Sequence, residues 1–394
     1  MSSGIFTTFL RLGLTSFGGP IAHLGYFREE FVVRRGWLSE ATFAQLLAIA
    51  QALPGPASSQ LGFAVGLLRG GWAGGLLAFI GFTLPSALLL FGLALLAPRL
   101  EGPMALAVLH GLKGVAVVVV AHGLAGMIRS LVPDLPRALL AGLALVVMLA
   151  GGPAWRQLVV ILAGAILGLW LCRRVPRLPA GELAVGYGRR MAWLLLAVFA
   201  LGLVLALSVA GGPASAVALA GAFYEAGALV FGGGHVVLPL LEQSTVATGW
   251  VGEQDFLAGY GAAQAVPGPM FALAAYLGAI VPTGQAPLAG ATIALLAIFL
   301  PGLLLMAALL PLWSGLARRS WAPPAIAGIN AAVVGLLAAA FLGIVLPAGV
   351  HGGADAALAV LGLALLASGR VNVLWVVAAL VGSHVVLQFL AGPA

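Results

Sequence analysis

Two proline-glycine-proline tripeptides, each inside an apolar stretch, are the segments of this chain best suited to bind a small anion. The first comprises Pro54, Gly55 and Pro56, and Ser58 and Ser59 follow it closely. Proline removes a backbone donor and glycine permits torsion angles that other residues avoid, so we predict that a helix breaks here. The helix that restarts has unpaired N–H groups and a positive dipole end, which suit a dianion. The serine hydroxyls would add donors.

The second tripeptide spans 267–269 and has Gly268 at its centre. Met270 and Phe271 follow it in place of serines, so we expect the polar side of the site on the first copy. The alternative is a plain proline kink in each helix. Two equivalent breaks favour a ligand site, because unsatisfied backbone at membrane depth is tolerated only where it is buried or lines a cavity.

The tripeptides belong to an internal sequence repeat. The first copy begins at Trp37 and reads W-L-S-E-A-T-F-A-Q-L-L-A-I-A-Q-A-L-P-G-P. The second begins at Trp250 and reads W-V-G-E-Q-D-F-L-A-G-Y-G-A-A-Q-A-V-P-G-P. Of the 20 positions, 9 are identical. An upstream pair, S-F-G-G-P at 16–20 and V-F-G-G-G at 230–234, keeps nearly the same separation. Two homologous membrane halves, interrupted at corresponding positions, are typical of a secondary transporter.

The glycine-rich pair predicts two further breaks near the same site. The candidate ligand-binding residues there are Ser16, Gly18, Gly19 and Gly233. His23 and His235 lie just after these breaks, and each either contacts the ligand or handles a proton, or is simply a packed interfacial histidine.

Gln51 and Gln264 each precede a P-G-P tripeptide by three residues. Their amides either line the site or only pair with carbonyls that the break leaves free.

Charged residues inside apolar stretches are costly in lipid and usually have a partner or a task. Arg11 and Glu225 occupy equivalent positions, each seven residues before the first glycine of its break. One hypothesis is a salt bridge between them across a pseudo-two-fold axis. The alternative is that Arg11 faces the anion and Glu225 takes up a proton.

Lys113 is the only lysine, and it lies inside the apolar run 104–128, where the second repeat has Asn330. It either extends to the membrane surface or contacts the anion, with His110 one turn earlier. We count Lys113 and Asn330 among the candidate binding residues.

The composition shows what must position these residues. With 62% hydrophobic and 7% charged residues, and a mean hydropathy of +1.15, most of the chain must lie in lipid. We predict an all-α polytopic membrane protein of about 10–12 transmembrane helices, with broken helices in two homologous halves. Residues 1–172 form the first membrane repeat, 173–190 a basic linker with five arginines, and 191–394 the second repeat.

The charge of the loops indicates that the halves are inverted. The loop 21–40 carries three arginines against three glutamates, whereas its counterpart 235–255 carries only acidic residues. Positive charge favours the cytoplasmic side, which places the two loops on opposite sides. Arg318 and Arg319 do not fit that scheme easily. Residues 20–36 are predicted to form an amphipathic helix at the membrane interface.

The remaining composition excludes several classes. The net charge of +7 comes from 17 arginines and one lysine that are spread along the chain, so it indicates membrane orientation and no nucleic-acid partner. Cys172 is the only cysteine, which excludes an internal disulfide and a cysteine metal cluster. We expect no cofactor and no metal. The partners would be an oxyanion and the lipid bilayer, with a homodimer as one possible assembly.

Three conspicuous motifs occur in the chain: L-T-S-F-G-G-P-I-A-H-L-G-Y-F-R-E-E-F, A-Q-A-L-P-G-P-A-S-S-Q-L and A-L-V-F-G-G-G-H-V-V-L-P-L-L-E. Together they resemble the chromate ion transporter family of bacterial inner membranes, in its two-domain form. The resemblance implies export of chromate driven by the membrane potential or a proton gradient, chromate resistance, and competition by sulfate. The matching positions are Arg11, 17–20, 54–56 and 231–235.

Other classes of function compete with export of chromate. A sulfate or related oxyanion permease or antiporter would use the same site. An intramembrane enzyme needs a concentrated catalytic group such as H-E-x-x-H, and an ATP-driven pump needs G-x-x-x-x-G-K-[ST]; neither motif is present. A pure scaffold would not need paired helix breaks.

Overall fold

The computed structural model describes residues 2–17, 19–96, 103–151, 155–175, 183, 185–231, 237–371 and 373–391. This part of the chain is helical and contains no strand, which confirms the predicted all-α fold with broken helices. The helices of the first half are α1 (Ser2–Thr15), α2 (Gly19–Arg28), α3 (Glu40–Ala52), α4 (Ala57–Leu96), α5 (Pro103–Leu131), α6 (Leu135–Leu149) and α7 (Trp155–Leu171).

The second half repeats this order with more short pieces. Its helices are α8 (Arg189–Ser208), α9 (Ala216–Leu229), α10 (Val237–Leu241), α11 (Glu253–Ala265), α12 (Leu273–Ile280), α13 (Pro287–Leu309), α14 (Trp313–Ala317), α15 (Ala322–Ala340), α16 (Leu346–Gly349), α17 (Gly353–Ala367) and α18 (Val373–Ala391). The last two, α17 and α18, are short helices on either side of Arg370.

Among the described residues, five stretches are long and apolar enough to cross a membrane. They are Ala57–Leu96, His110–Leu131, Arg189–Ser208, Pro287–Leu309 and Ala322–Gly349. The chain is therefore a multi-pass membrane protein. In α8, 11% of the most apolar 18-residue segment is buried inside the protein, whereas at least 50% of the corresponding segment is buried in each of the other four stretches. Helix α8 therefore presents most of its surface to lipid.

The long helix α4 is a hairpin of two segments. Gly70 and Gly71 leave the helical conformation, with φ of 59° at Gly71, and Gly66 then contacts Gly74 backbone to backbone. At roughly 1.5 Å per residue, the segment 57–69 is about 20 Å long, which is less than the roughly 30 Å hydrocarbon core. The helix that restarts after the first tripeptide therefore enters the membrane region and turns back.

The second half forms the same hairpin from separate helices. The chain between α11 and α12 includes the second tripeptide and one 3₁₀ turn, Met270–Ala272. Gly278 of α12 then contacts Gly290 of α13 backbone to backbone, as Gly66 contacts Gly74. Both P-G-P tripeptides therefore lie between a helix and a short returning helix, as the sequence predicts.

Equivalent helices of the two halves run antiparallel. The segment 72–96 of α4 corresponds to α13, and their rings Phe79 and Phe299 lie 5.0 Å apart. Ala87 and Ala291 lie in one apolar cluster. The higher residue number in α4 thus meets the lower residue number in α13, so the two helices run in opposite directions. Because both helices are long enough to span, the pseudo-two-fold axis that relates them lies in the membrane plane. This packing supports the predicted inverted repeat.

The last two helices of each half pack on the other half. Helices α6 and α7 pack on α15, where Gly164 and Gly168 face Gly328, while α17 and α18 pack on α5, where Gly111 faces Val381. Small residues allow such close approach between helices in lipid. The two halves are therefore interlocked. The sequence boundaries at 172 and 191 stay a prediction, and residues 176–182 and 184 of the linker lie outside the described residues.

The predicted amphipathic helix at 20–36 is α2 extended by a π-helical turn, Glu29–Arg34. Its apolar side buries Phe27 and Phe31 against Phe9, with ring centroids 5.9 and 5.1 Å from that of Phe9. Its polar side holds three ion pairs, of which only Arg28 with Glu40 is exposed at both partners, whereas Glu30 is buried. They are Arg28 with Glu40, and Arg34 and Arg35 with Glu30.

Replacing Gly328 with alanine tests how α7 of the first half packs on α15 of the second half, which is one of the two arms that interlock the halves. A Cβ at this position would overlap the backbone of Gly164 and Gly168, and backbone cannot move aside cheaply. We expect Gly328→Ala to lower stability by about 1–3 kcal/mol, measured as thermal unfolding of the purified protein in detergent. Gly343→Ala is the matched control, because a Cβ there meets no atom within 4 Å. Equal unfolding temperatures for the two variants would contradict the packing.

Candidate functional site

Each P-G-P tripeptide is hydrogen-bonded to the glycine-rich break of the opposite half. The Gly55 N–H donates to the Val230 carbonyl at 2.6 Å, and the Gly268 N–H donates to the Ser16 carbonyl at 2.9 Å. Ser16 and Val230 are equivalent residues that begin S-F-G-G and V-F-G-G. We call 54–56 with Val230 the first crossed break, and 267–269 with Ser16 the second crossed break.

Glycine is required at the centre of both tripeptides. Gly55 has φ of 122° and Gly268 has φ of 100°, values that residues with a side chain rarely adopt. A Cβ on Gly55 would lie 3.0 Å from the Cα of Gly302, and a Cβ on Gly268 would lie 3.0 Å from Ser86 Oγ. Ser86 and Gly302 are themselves equivalent, each following a proline inside its helix. The two crossed breaks therefore have the same backbone construction.

The first crossed break gathers buried polar groups. Ser58 and Ser59 are 3% and 2% exposed, and Gln60 is fully buried. The Gln60 amide donates to the Pro54 carbonyl at 2.8 Å and to the Gly302 carbonyl at 3.1 Å. Gln60 thus ties the break to α13, a role that the sequence analysis missed.

Several groups of the first crossed break are available to a ligand. The first helical hydrogen bond of α4 runs from Gln60 N–H to the Pro56 carbonyl, so the three N–H groups before it have no partner within the helix. Among the described residues, the buried Ser59 Oγ has no hydrogen-bond partner either. N–H donors at a helix N-terminus with an added hydroxyl match the acceptor oxygens of a tetrahedral anion.

The second crossed break is built around His23. Its Nε2 lies 3.2 Å from the Ser16 carbonyl, which accepts only, so Nε2 carries the proton. The ring packs edge-on against Phe82 with centroids 5.4 Å apart. Within the described chain, His23 Nδ1, Ser16 Oγ and Thr83 Oγ1 are buried without hydrogen-bond partners. His23 therefore positions the break, and its predicted role in proton coupling stays a prediction.

The two glutamines that precede the tripeptides differ in burial. Gln51 is exposed, whereas Gln264 is buried and its amide contacts Met270 Sδ at 2.7 Å across the second crossed break. In the register of the repeat, Met270 stands where the first copy has Ala57, and Phe271 and Ala272 stand where it has Ser58 and Ser59. The expectation that the polar side of the site lies on the first copy stays a prediction.

The structure corrects the predicted ion pair between Arg11 and Glu225. Arg11 is exposed, and within the part of the chain that the structure describes it forms no ion pair with Glu225. The reason lies in the packing, since α1 packs on α4 and α9 packs on α13 through the equivalent glycines Gly13 and Gly227. Equivalent positions in two halves need not meet.

Glu225 lines a cavity of about 90 Å³ instead. A water needs roughly 10–15 Å³ of such volume, so the cavity holds several waters or a small ion. The amide of Gln157, from the first half, hydrogen-bonds Gln243 at its wall. The other polar lining residues are Ser244, Thr248 and Trp250. Most of the lining is apolar, and its polar groups are a carboxyl, amides, hydroxyls and an indole, with no lysine, arginine or histidine among the lining residues. A carboxyl in such surroundings suits proton uptake better than anion binding.

Lys113 belongs to a different pocket from the P-G-P tripeptides. Lys113 lines a cavity of about 310 Å³ together with Glu253, Gln254 and His351, and none of the P-G-P residues lines it. The Asn330 Oδ1 is buried without a hydrogen-bond partner among the described residues. Gly19 begins α2, while Gly18, Gly233 and His235 fall outside the described residues.

The fold and the site together define a class. Inverted, interlocked repeats, with helices interrupted at equivalent positions and helix N-termini at the breaks, are an architecture found in membrane transporters. The chain belongs to the chromate transporter family, whose family model, "Chromate transporter", matches residues 3–169 and 217–385.

Curated relatives agree with this assignment. A probable chromate transport protein of Synechococcus elongatus is 29% identical over 84% of this chain and 81% of its own length. A chromate transport protein of Pseudomonas aeruginosa is 26% identical over 85% of this chain and 79% of its own length. An uncharacterised transporter of Methanocaldococcus jannaschii is 26% identical over 85% and 82% respectively. No solved structure matches the chain.

Replacing Gly55 with alanine tests the first crossed break. The positive φ and the contact with Gly302 both oppose a side chain, so we expect a loss of more than about 1 kcal/mol in stability and impaired transport. Thermal unfolding and vesicle transport measure these effects. Gly92→Ala, also in α4, meets no atom within 4 Å and serves as control. Wild-type stability and transport in Gly55→Ala would show that the break is not needed.

Proposed function

We propose that this chain is a secondary transporter that exports chromate from the cytoplasm across a bacterial inner membrane and so confers chromate resistance. Membership of the chromate transporter family supports the substrate, as do relatives named chromate transport proteins. The single structural observation that carries the proposal is the first crossed break, where helix N–H groups and an unpartnered serine hydroxyl lie buried.

The donors of the first crossed break fit the chemistry of chromate. Chromate is a dianion whose four oxygens accept hydrogen bonds and donate none at neutral pH. A buried site for it must therefore supply N–H and O–H donors and positive potential. The start of α4 supplies N–H groups and about half a positive charge from the helix dipole. Ser58 and Ser59 supply hydroxyls. In this proposal they replace the water that the ion loses.

Access would alternate by movement of one half against the other. In an inverted repeat the two halves exchange conformations, which opens the site first to one side and then to the other. The Gly55–Val230 and Gly268–Ser16 hydrogen bonds join the halves at equivalent points. We propose that they act as the two pivots of this movement, since any sliding between halves must bend them.

The membrane potential supplies enough energy for export. One elementary charge gains about 2.3 kcal/mol per 100 mV, so a dianion leaving a negative interior gains about 4.6 kcal/mol. That energy sustains a gradient of about three orders of magnitude. An inward proton gradient would add to it if Glu225 binds a proton in its cavity, which a lining without lysine, arginine or histidine supports.

A sulfate or related oxyanion permease is the second candidate function. The first crossed break offers donors to any tetrahedral dianion, and none of its described groups separates chromate from sulfate. Competition by sulfate during chromate transport distinguishes the two, because a sulfate permease would prefer sulfate at equal concentration.

Replacing Ser58 and Ser59 with alanine tests the proposed site. Hydrogen bonds to charged groups contribute about 1.5–3 kcal/mol each, so we expect chromate uptake into everted vesicles to fall about 10-fold to 100-fold in the Ser59→Ala variant and further in the double variant. Ser130→Ala removes an exposed hydroxyl of the same half and should transport normally. Normal uptake by the double variant would refute the serine part of the site.

Replacing Glu225 with glutamine tests proton coupling. In everted vesicles, an acidic lumen should stimulate chromate uptake by the wild type and not by Glu225→Gln, because glutamine cannot bind the proton. A lumen-positive potential should still drive uptake in the variant. Glu29→Gln, an exposed acid of the first half, is the control. Equal stimulation of both variants by the acidic lumen would exclude Glu225 from coupling.

A further inference from the structure

We propose that His110, Asp355 and His384 form a binding site for a divalent transition-metal ion, for which Zn²⁺ has the best-suited ligand preference. The three residues come from α5, α17 and α18, which meet where the second half packs on the first. The site is separate from the crossed breaks. The proposal does not depend on which anion is transported.

The ligand atoms converge at a spacing that a metal requires. His110 Nε2 and His384 Nε2 each lie 3.2 Å from the same oxygen, Asp355 Oδ1, and all three atoms lie within 4.8 Å of one another. Zinc holds imidazole nitrogens and carboxylate oxygens at about 2.0–2.2 Å in a tetrahedron, which separates neighbouring ligand atoms by about 3.4 Å. A metal ion therefore fits with small side-chain adjustments.

The hydrogen bonding of His384 indicates that a cation belongs between these atoms. Its Nδ1 lies 2.8 Å from the Leu380 carbonyl, which can only accept, so Nδ1 carries the proton of the neutral ring. Nε2 then presents a lone pair to the Asp355 carboxylate, which also only accepts. Two acceptors at 3.2 Å repel each other unless a positive charge lies between them. Either a second proton on the ring or a metal ion supplies that charge.

Outer contacts hold the ligands as they do in metal sites. The Leu380 carbonyl fixes the ring of His384, and the backbone N–H of His351 donates to Asp355 Oδ2 at 2.9 Å. Oδ1 is left to face the two histidines. A histidine that donates its second N–H to a carbonyl, beside a carboxylate held by its other oxygen, is the usual outer arrangement around a bound metal. A histidine and an aspartate that only hydrogen-bond to each other do not require these outer contacts.

The surroundings offer a fourth ligand and a route of entry. The His351 ring lies 5.1 Å from the His110 ring and is more than half exposed. It also lines the cavity of about 310 Å³ that contains Lys113 and Glu253, so an ion can reach the site from there. His351 or a water then completes four-coordination. Three of the six histidines of the chain thus converge on one aspartate.

A metal here would fasten one arm of the interlocked fold. It would bind α5 of the first half to α17 and α18 of the second. At the equivalent contact of α15 with α6 and α7, Ala327 stands where α5 has His110, so that arm has no such ligand set. Metal binding would therefore stabilise the contact between the halves on one side only.

Metal binding to the purified full-length chain tests the proposal. The protein, stripped of metal in detergent and free of any histidine tag, is titrated with Zn²⁺ by calorimetry and with Co²⁺ by visible absorption. We expect one ion per chain, with the visible bands of tetrahedral cobalt. His384→Ala and Asp355→Asn should each weaken binding at least about 10-fold. His122→Ala, an exposed histidine of α5, should bind as the wild type does.

Thermal unfolding supplies a second measurement. Zn²⁺ should raise the unfolding temperature of the wild type and of His122→Ala, and leave that of His384→Ala unchanged. If His384→Ala does not fold, His110→Ala replaces it, because that histidine is more exposed. Absence of saturable Zn²⁺ and Co²⁺ binding by the wild type would overturn the proposal and leave a proton-bridged cluster. Undiminished binding by both His384→Ala and Asp355→Asn would overturn it equally.

Discussion

The structure depends on two backbone hydrogen bonds that cross between the halves, from Gly55 to Val230 and from Gly268 to Ser16. A peptide group in lipid must find a partner within the protein, and a P-G-P tripeptide cannot find it in its own helix. Each half therefore completes the broken helix of the other. This reciprocal arrangement fixes the inverted packing of α4 on α13. It also leaves the first-turn N–H groups of α4 without helical partners.

The symmetry of the backbone is not matched by the side chains. The first crossed break carries Ser58, Ser59 and Gln60, whereas Met270 and Phe271 occupy the second. The cavity at Glu225 and the His110–Asp355–His384 cluster each involve only one of two equivalent positions. In the functions proposed here, duplication supplies the movement of two similar halves, while divergence of single residues assigns anion binding, proton uptake and metal binding to different places.

Much of the fold could be predicted from the sequence, because proline and glycine act locally. The helix breaks follow from residues adjacent in the chain, and the repeat follows from matching motifs in the two halves. Gln60, Gln157 and Gln243 were missed, because each is an isolated amide whose partner lies in another helix. The ion pair of Arg11 with Glu225 was wrong, since positions related by a two-fold axis meet only near that axis. The interlocked arms depend on contacts between distant small residues, which periodicity does not reveal.

The account predicts where the transported ion binds, and chromium itself reports that position. The most direct measurement is the anomalous scattering of chromium in crystals of the protein soaked with chromate. A peak within hydrogen-bonding reach of the N–H groups of residues 57–59 and the hydroxyl of Ser59 is the predicted result. A peak only beside Lys113, or in the Glu225 cavity, with none at the start of α4, would contradict the account.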